Sequence, residues 1–134
     1  MSTIKCDLLT PGFIDIHLHG IGGSNDLMEF WQTPEYTLSR LTKFGTTSVM
    51  ATMIVPGEQE GYNKCMKACK AVNKVMNKTG LGTVVRGIHS EGPIISQLGA
   101  LREPLDLLNL DKKGFEDMID SMGPHVKIMT ISPS

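Results

Sequence analysis

Two histidines one residue apart, His17 and His19, close an apolar run that begins at Phe13. Alternate side chains of an extended strand share a face, so both imidazoles project together and Leu18 points the other way. Paired imidazoles at a strand end can bind one transition metal. A carboxylate would complete a first shell that keeps an open position, and Glu91 is the candidate, in Gly87-Ile88-His89-Ser90-Glu91-Gly92-Pro93. An ion held this way lowers the pKa of a bound water toward about 7, which yields a hydroxide nucleophile at neutral pH, and it can polarise a substrate carbonyl. An isolated His-x-His pair is common, so the chemistry depends on elements that bring Glu91 to it.

Other residues near these have two readings each. His89 shares a strand face with Glu91 and could support a ligand, line a substrate pocket, or be a hydrogen-bonded strand-end histidine. Asp15 lies one step deeper than His17 and could steady a ligand or make a structural contact. His125 follows Gly123-Pro124 at a strand start and reads as structural. Cys65 and Cys69 stand at helical i,i+4 spacing without further ligands nearby, so they read as two thiols on one helix face.

The elements that must position these groups alternate. Phe13 to His19 reads as a strand, followed by a loop through Gly20, Gly22, Gly23 and Ser24-Asn25-Asp26. Thr33-Pro34-Glu35 is a helix start, with Thr33 as N-cap and Pro34 in the first helical position. Leu38, Leu41 and Phe44 recur at helical spacing before Gly45 stops the helix. Thr46 to Ile54, rich in β-branched residues, is the second strand. Residues 58–78 form the clearest helix, with Tyr62, Cys65, Met66, Cys69, Val72, Val75 and Met76 on one stripe. Thr83 to His89 is the third strand and runs into Glu91. A long irregular segment from Ile94 to Leu110 follows. Asp111 then caps a helix presenting Phe115, Met118, Ile119 and Met122, and Val126 to Ile131 is the fourth strand.

The order β-α-β-α-β-loop-α-β implies parallel pairing through crossovers. Gly20, Gly22 and Gly23 do not match the G-x-G-x-x-G fingerprint of a dinucleotide fold. The expected fold is α/β, a partial TIM-like (β/α)8 barrel with about four parallel strands. Barrel enzymes place their chemistry at the carboxyl ends of strands, where His17, His19 and Glu91 lie.

The chain has 134 residues, 13 basic and 14 acidic, and reads as one domain over residues 1–134. Without a charged run it offers no dedicated nucleic-acid surface. No stretch approaches the roughly 20 apolar residues that span a bilayer. The N-terminus lacks a signal-peptide pattern, and three cysteines suit a reducing compartment, so a cytoplasmic location is expected. The nine methionines read as adaptable core filler.

Four segments together carry a resemblance. Leu9-Thr10-Pro11-Gly12-Phe13-Ile14-Asp15-Ile16-His17-Leu18-His19-Gly20 resembles the first barrel strand of the amidohydrolase superfamily. Leu41-Thr42-Lys43-Phe44-Gly45-Thr46-Thr47-Ser48 with Ala51-Thr52 is similar to the second strand of N-acetylglucosamine-6-phosphate deacetylases. Gly87 to Pro93 resembles that family's G-x-H-x-E-G-P motif, the most discriminating part. Val126 to Pro133 resembles its fourth strand, usually ending T-x-A-P-E.

The resemblance implies a metal-dependent hydrolase that removes the acetyl group from a 6-phospho N-acetyl amino sugar by metal-hydroxide attack. It implies a divalent metal, zinc or iron, with His17, His19 and Glu91 as ligands. Gly99-Ala100 matches a loop whose backbone contacts the sugar, so Ala100, with His89, is a substrate-contact candidate. The family fold is a (β/α)8 barrel beside a small β-sandwich, usually in a homodimer. Leu101 stands where the family usually has histidine, and Ser134 where it usually has glutamate. The family's further histidine ligands and catalytic aspartate lie on later strands, so no catalytic residue is expected within residues 1–134. The chain is therefore expected to represent the first half of a barrel, whose two open edges call for a missing second half or a homo-oligomer. A non-catalytic remnant of the family, and an amidohydrolase acting on another amide, are the alternative readings.

Overall fold

The computed structural model describes residues 3–21, 29–55, 59–92, 95 and 111–132. Its strands are β1 (Phe13–Leu18), β2 (Thr46–Ile54), β3 (Val84–Glu91) and β4 (Val126–Thr130). The helices are α1 (Glu29–Gln32), α2 (Pro34–Leu41), α3 (Gln59–Val75) and α4 (Lys112–Met122). All strand pairs are parallel, and the sheet order β1-β2-β3-β4 follows the chain. A doubly wound sheet would reverse its order partway. An unreversed parallel run with helices between strands is a partial (β/α)8 barrel, as the sequence pattern implies.

Local chemistry explains most boundaries. Pro34 opens α2, where its missing N–H costs nothing. Thr33 flanks it but does not cap with its hydroxyl; instead its carbonyl accepts from the Tyr36 N–H at 3.2 Å. After Leu41 the helix tightens into a 3-10 turn, Thr42–Phe44. That turn takes Phe44 off the Leu38 and Leu41 stripe, and the residue is 69% exposed rather than buried. Gly45 follows at φ 78°, a left-handed conformation that favours glycine. Asp111 caps α4 as its position implies, its carboxylate accepting from the Gly114 N–H at 2.7 Å. The third strand reaches two residues beyond His89, so Glu91 is its last residue and not part of a following loop.

The core lies between one face of the sheet and the helices. Val49, Ala51 and Met53 of β2 and Val85 and Ile88 of β3 pack with Leu38, Leu41, Cys65, Cys69, Val72, Met118 and Met122. Burial of each large apolar side chain contributes about 1.5–3 kcal/mol. Met50, Met53, Met66, Met118 and Met122 are all buried, in keeping with methionine as core filler. The short helix α1, which periodicity does not reveal, is anchored by fully buried Trp31. The edge strand β1, by contrast, leaves Phe13, Ile14 and Ile16 exposed. Among the described residues no helix is long and apolar enough to cross a membrane.

Candidate metal centre

The carboxyl end of β1 departs from ideal pairing. Asp15 pairs with Val49 and Leu18 with Ala51, so β1 carries one extra residue between these points. Such a bulge re-aims side chains and strands local backbone groups without ladder partners. Side chains supply the partners here. The His17 N–H donates to Asp15 Oδ1 at 3.0 Å, and the Leu18 N–H to Thr52 Oγ1 at 2.8 Å. Trp31 Nε1 donates to the Leu18 carbonyl at 3.2 Å. His89 Nδ1 lies 2.7 Å from the Ile16 carbonyl. Residues from three other elements therefore hold the two-histidine end of the strand in place.

The bulge aims both imidazoles at the end of β3. His17 Nε2 and His19 Nε2 stand 3.1 Å apart. Glu91 Oε2 is 2.9 Å from His19 Nε2 and 3.6 Å from His17 Nε2. Among the described residues these three form a group of donors able to hold one metal ion. Ligands at about 2.0–2.2 Å from a single ion in tetrahedral or octahedral geometry are themselves about 2.8–3.6 Å apart, so the observed separations fit.

The electrostatics also fit. Glu91 Oε2 is buried and makes no hydrogen bond despite its closeness to His19. Three atoms bearing lone pairs thus face one another, an arrangement that needs a proton or a cation between them. Burial pushes the His19 pKa below that of an ordinary imidazole, and the nearby His17 and His89 rings push the same way against the pull of Glu91. Burial therefore disfavours the imidazolium form of His19, and the neutral imidazole is the form that ligates a metal.

Glu91, far from the histidine pair in sequence, thus meets His17 and His19 in space. His89 sits behind them, 4% exposed, its ring edge-on to His17 with centroids 4.9 Å apart. Its second nitrogen, Nε2, lies 2.7 Å from Thr130 Oγ1. With both nitrogens engaged, direct contact with a substrate requires one of these bonds to open. Asp15 caps the His17 amide instead of touching a ligand ring. His125 lies at the start of β4, away from the centre, where its carbonyl accepts from the Ile88 N–H. Ala100 and Leu101 lie outside the described residues. Cys65 and Cys69 are buried free thiols on α3, and hydrogen bonding to Cys65 together with burial holds the Cys69 pKa well above the usual thiol range. Spacing gives no sign of Thr52, Trp31 or Thr130, because each serves the backbone or another side chain and carries no metal-ligating signature.

A parallel run of strands in chain order, bearing a histidine pair and a glutamate at the strand ends, defines the class: part of a (β/α)8 barrel with a candidate metal centre. The particular relatives are N-acetylglucosamine-6-phosphate deacetylases. The chain is 32% identical over 127 residues to the enzyme of that name from Bacillus subtilis (strain 168), covering 94% of this chain and 32% of the relative. It is 30% identical over 138 residues to the one from Homo sapiens, covering 94% of this chain and 31% of the relative. A crystal structure of N-acetylglucosamine-6-phosphate deacetylase from Pasteurella multocida superimposes with a TM-score of 0.59 at 24% identity, over 90% of this chain and 31% of that one. This last likeness supports the fold. No family model matches the chain. The chain spans about a third of the length of the curated relatives it matches.

Proposed function

We propose that residues 1–134 form part of a metal-dependent deacetylase that removes the acetyl group from a 6-phospho N-acetyl amino sugar. The observation that carries this is the convergence of His17 Nε2, His19 Nε2 and Glu91 Oε2 at ligand spacing, on the strands that align with the deacetylases. His17, His19 and Glu91 hold a divalent ion, zinc or iron. Such an ion, when bound, activates a water and polarises the acyl carbonyl. The two imidazoles are neutral when they ligate, and Glu91 supplies the compensating negative charge. The deep placement of His19 and Glu91, beside the more exposed His17, leaves the open side of the centre toward His17 and solvent. Substrate would approach there, with His89 beneath the ligands; by the resemblance, Ala100 is a further candidate to contact the sugar.

The proton shuttle and further ligands come from outside residues 1–134 in this reading. The open sheet edges at β1 and β4, with Phe13, Ile14 and Ile16 exposed, support completion of the barrel by further strands of a longer polypeptide or of a second copy. Three free cysteines support a reducing, cytoplasmic setting.

A chimera tests the assignment. Residues 1–134 replace the matching third of the Bacillus subtilis enzyme, and acetate release from N-acetylglucosamine 6-phosphate is measured. Metal-dependent release that His19→Ala abolishes is the expected result. A folded, metal-loaded chimera that releases no acetate would contradict the proposal.

A further inference from the structure

We infer that His89 is a positioning residue for the metal centre, tying β4 to the bulged end of β1 through a bridge of fixed tautomer, Thr130 to His89 to the Ile16 carbonyl. The inference rests on the metal-site reading above and adds a residue that coordinates nothing.

The argument starts from hydrogen-bonding capacity. A backbone carbonyl can only accept, so His89 Nδ1, 2.7 Å from the Ile16 oxygen, carries the proton. In the neutral ring Nε2 is then the acceptor, and Thr130 Oγ1, 2.7 Å away, donates to it. The bridge therefore has a direction: hydroxyl to imidazole to carbonyl. Polarisation along such a chain strengthens each bond.

Topology makes the bridge unusual. Ile16 is on β1 and His89 on β3, with β2 between them in the sheet. The ladder cannot connect these strands directly, so the imidazole spans the inner face. It joins β1 at the interrupted register between Asp15 and Leu18, where the backbone has lost its own partners. The Ile16 carbonyl belongs to the peptide whose nitrogen is that of His17. Fixing this peptide fixes the root of the His17 side chain. The ring of His89 also meets that of His17 edge-on, at 88° between planes. Both contacts hold one ligand, the more exposed of the two imidazoles.

The test uses the 134-residue chain and cobalt(II) as probe, with affinity and the visible d–d spectrum as readouts. His89→Leu should weaken cobalt binding by about 10–100-fold, the usual effect of losing an outer-sphere support, and alter the spectrum. His89→Asn places an amide N–H near the position of Nδ1 and should recover much of the affinity. Thr130→Val keeps the Ile16 bond and should weaken binding less than His89→Leu. A folded His89→Leu chain with wild-type affinity and spectrum would overturn the inference. If that variant does not fold, Thr130→Val and His89→Asn decide, and wild-type behaviour of the former with no advantage of the latter over other substitutions would overturn it.

A metal-free readout separates this inference from the reading beneath it. Nitrogen NMR of the histidine rings should show His89 protonated at Nδ1, and Thr130→Val should shift the His17 amide. A neutral His89 protonated at Nε2 overturns the bridge whether or not metal binds. Failure of the wild-type chain to bind cobalt, with the Nδ1 tautomer present, would instead count against the metal site.

Discussion

Thr52 offers a quantitative test of how the two-histidine strand end is held. Its hydroxyl oxygen accepts the Leu18 N–H at 2.8 Å, and its side chain is fully buried. Thr52→Val preserves shape and removes the acceptor, which leaves the Leu18 amide without a partner at the bulge. An unsatisfied buried donor costs about 1–3 kcal/mol, and because this bond is only part-buried the lower half, about 1–2 kcal/mol, applies. Thr52→Ser keeps the acceptor and removes a methyl, at about 1 kcal/mol. Thr52→Ala loses both and should cost about 2–3 kcal/mol. Urea unfolding with an unchanged slope reads these differences as midpoint shifts. A Thr52→Val variant within about 0.5 kcal/mol of wild type, the ordinary scatter of substitutions without a specific mechanism, would refute the reasoning if Thr52→Ala also proved no worse than Thr52→Ser. The bulge would then be held by packing and not by this bond.

Two further outcomes follow from other parts of the structure. Asp111→Ala should destabilise the chain by about 1 kcal/mol through loss of the α4 cap, while Asp111→Asn, which keeps an acceptor for the Gly114 N–H, stays close to wild type in thermal unfolding. The folded-state pKa of His19 lies below its unfolded value, so the fold favours neutral His19. The corresponding stability is fully present above the ordinary imidazole pKa of about 6.5 and is lost as pH falls through the lower folded value. The metal-free chain should therefore lose unfolding free energy on acidification through this range, and His19→Gln should flatten that part of the profile; an unchanged profile in the variant would count against the assignment.

Much of this arrangement was legible in the sequence because periodicity and punctuation agreed. The stripe on α3, the glycine after Phe44 and the aspartate before α4 each had one local solution. The three candidate ligands were legible by residue type and by the alternation that places them at strand ends. What spacing could not reveal is the bulge between Asp15 and Leu18. Simple alternation gives a regular strand, whereas the structure interrupts the ladder and passes its hydrogen bonds to Asp15, Thr52, Trp31 and His89. Apart from Asp15, those partners are distant in sequence, and all of them bond to backbone, which leaves no pattern. Phe44 misled for a related reason: its spacing fits an α-helix, but the helix has already tightened to a 3-10 turn there. The α1 turn is too short for periodicity to register and is held mainly by Trp31.

The central claim is that His17, His19 and Glu91 form a metal centre, and metal stoichiometry by mass spectrometry of the purified chain tests it most directly. The proposal predicts a stoichiometric divalent metal in the wild type and its loss in Glu91→Ala, the variant that removes the only carboxylate among the three donors. A wild-type chain without bound metal, or a Glu91→Ala chain that retains a full complement, would contradict the account.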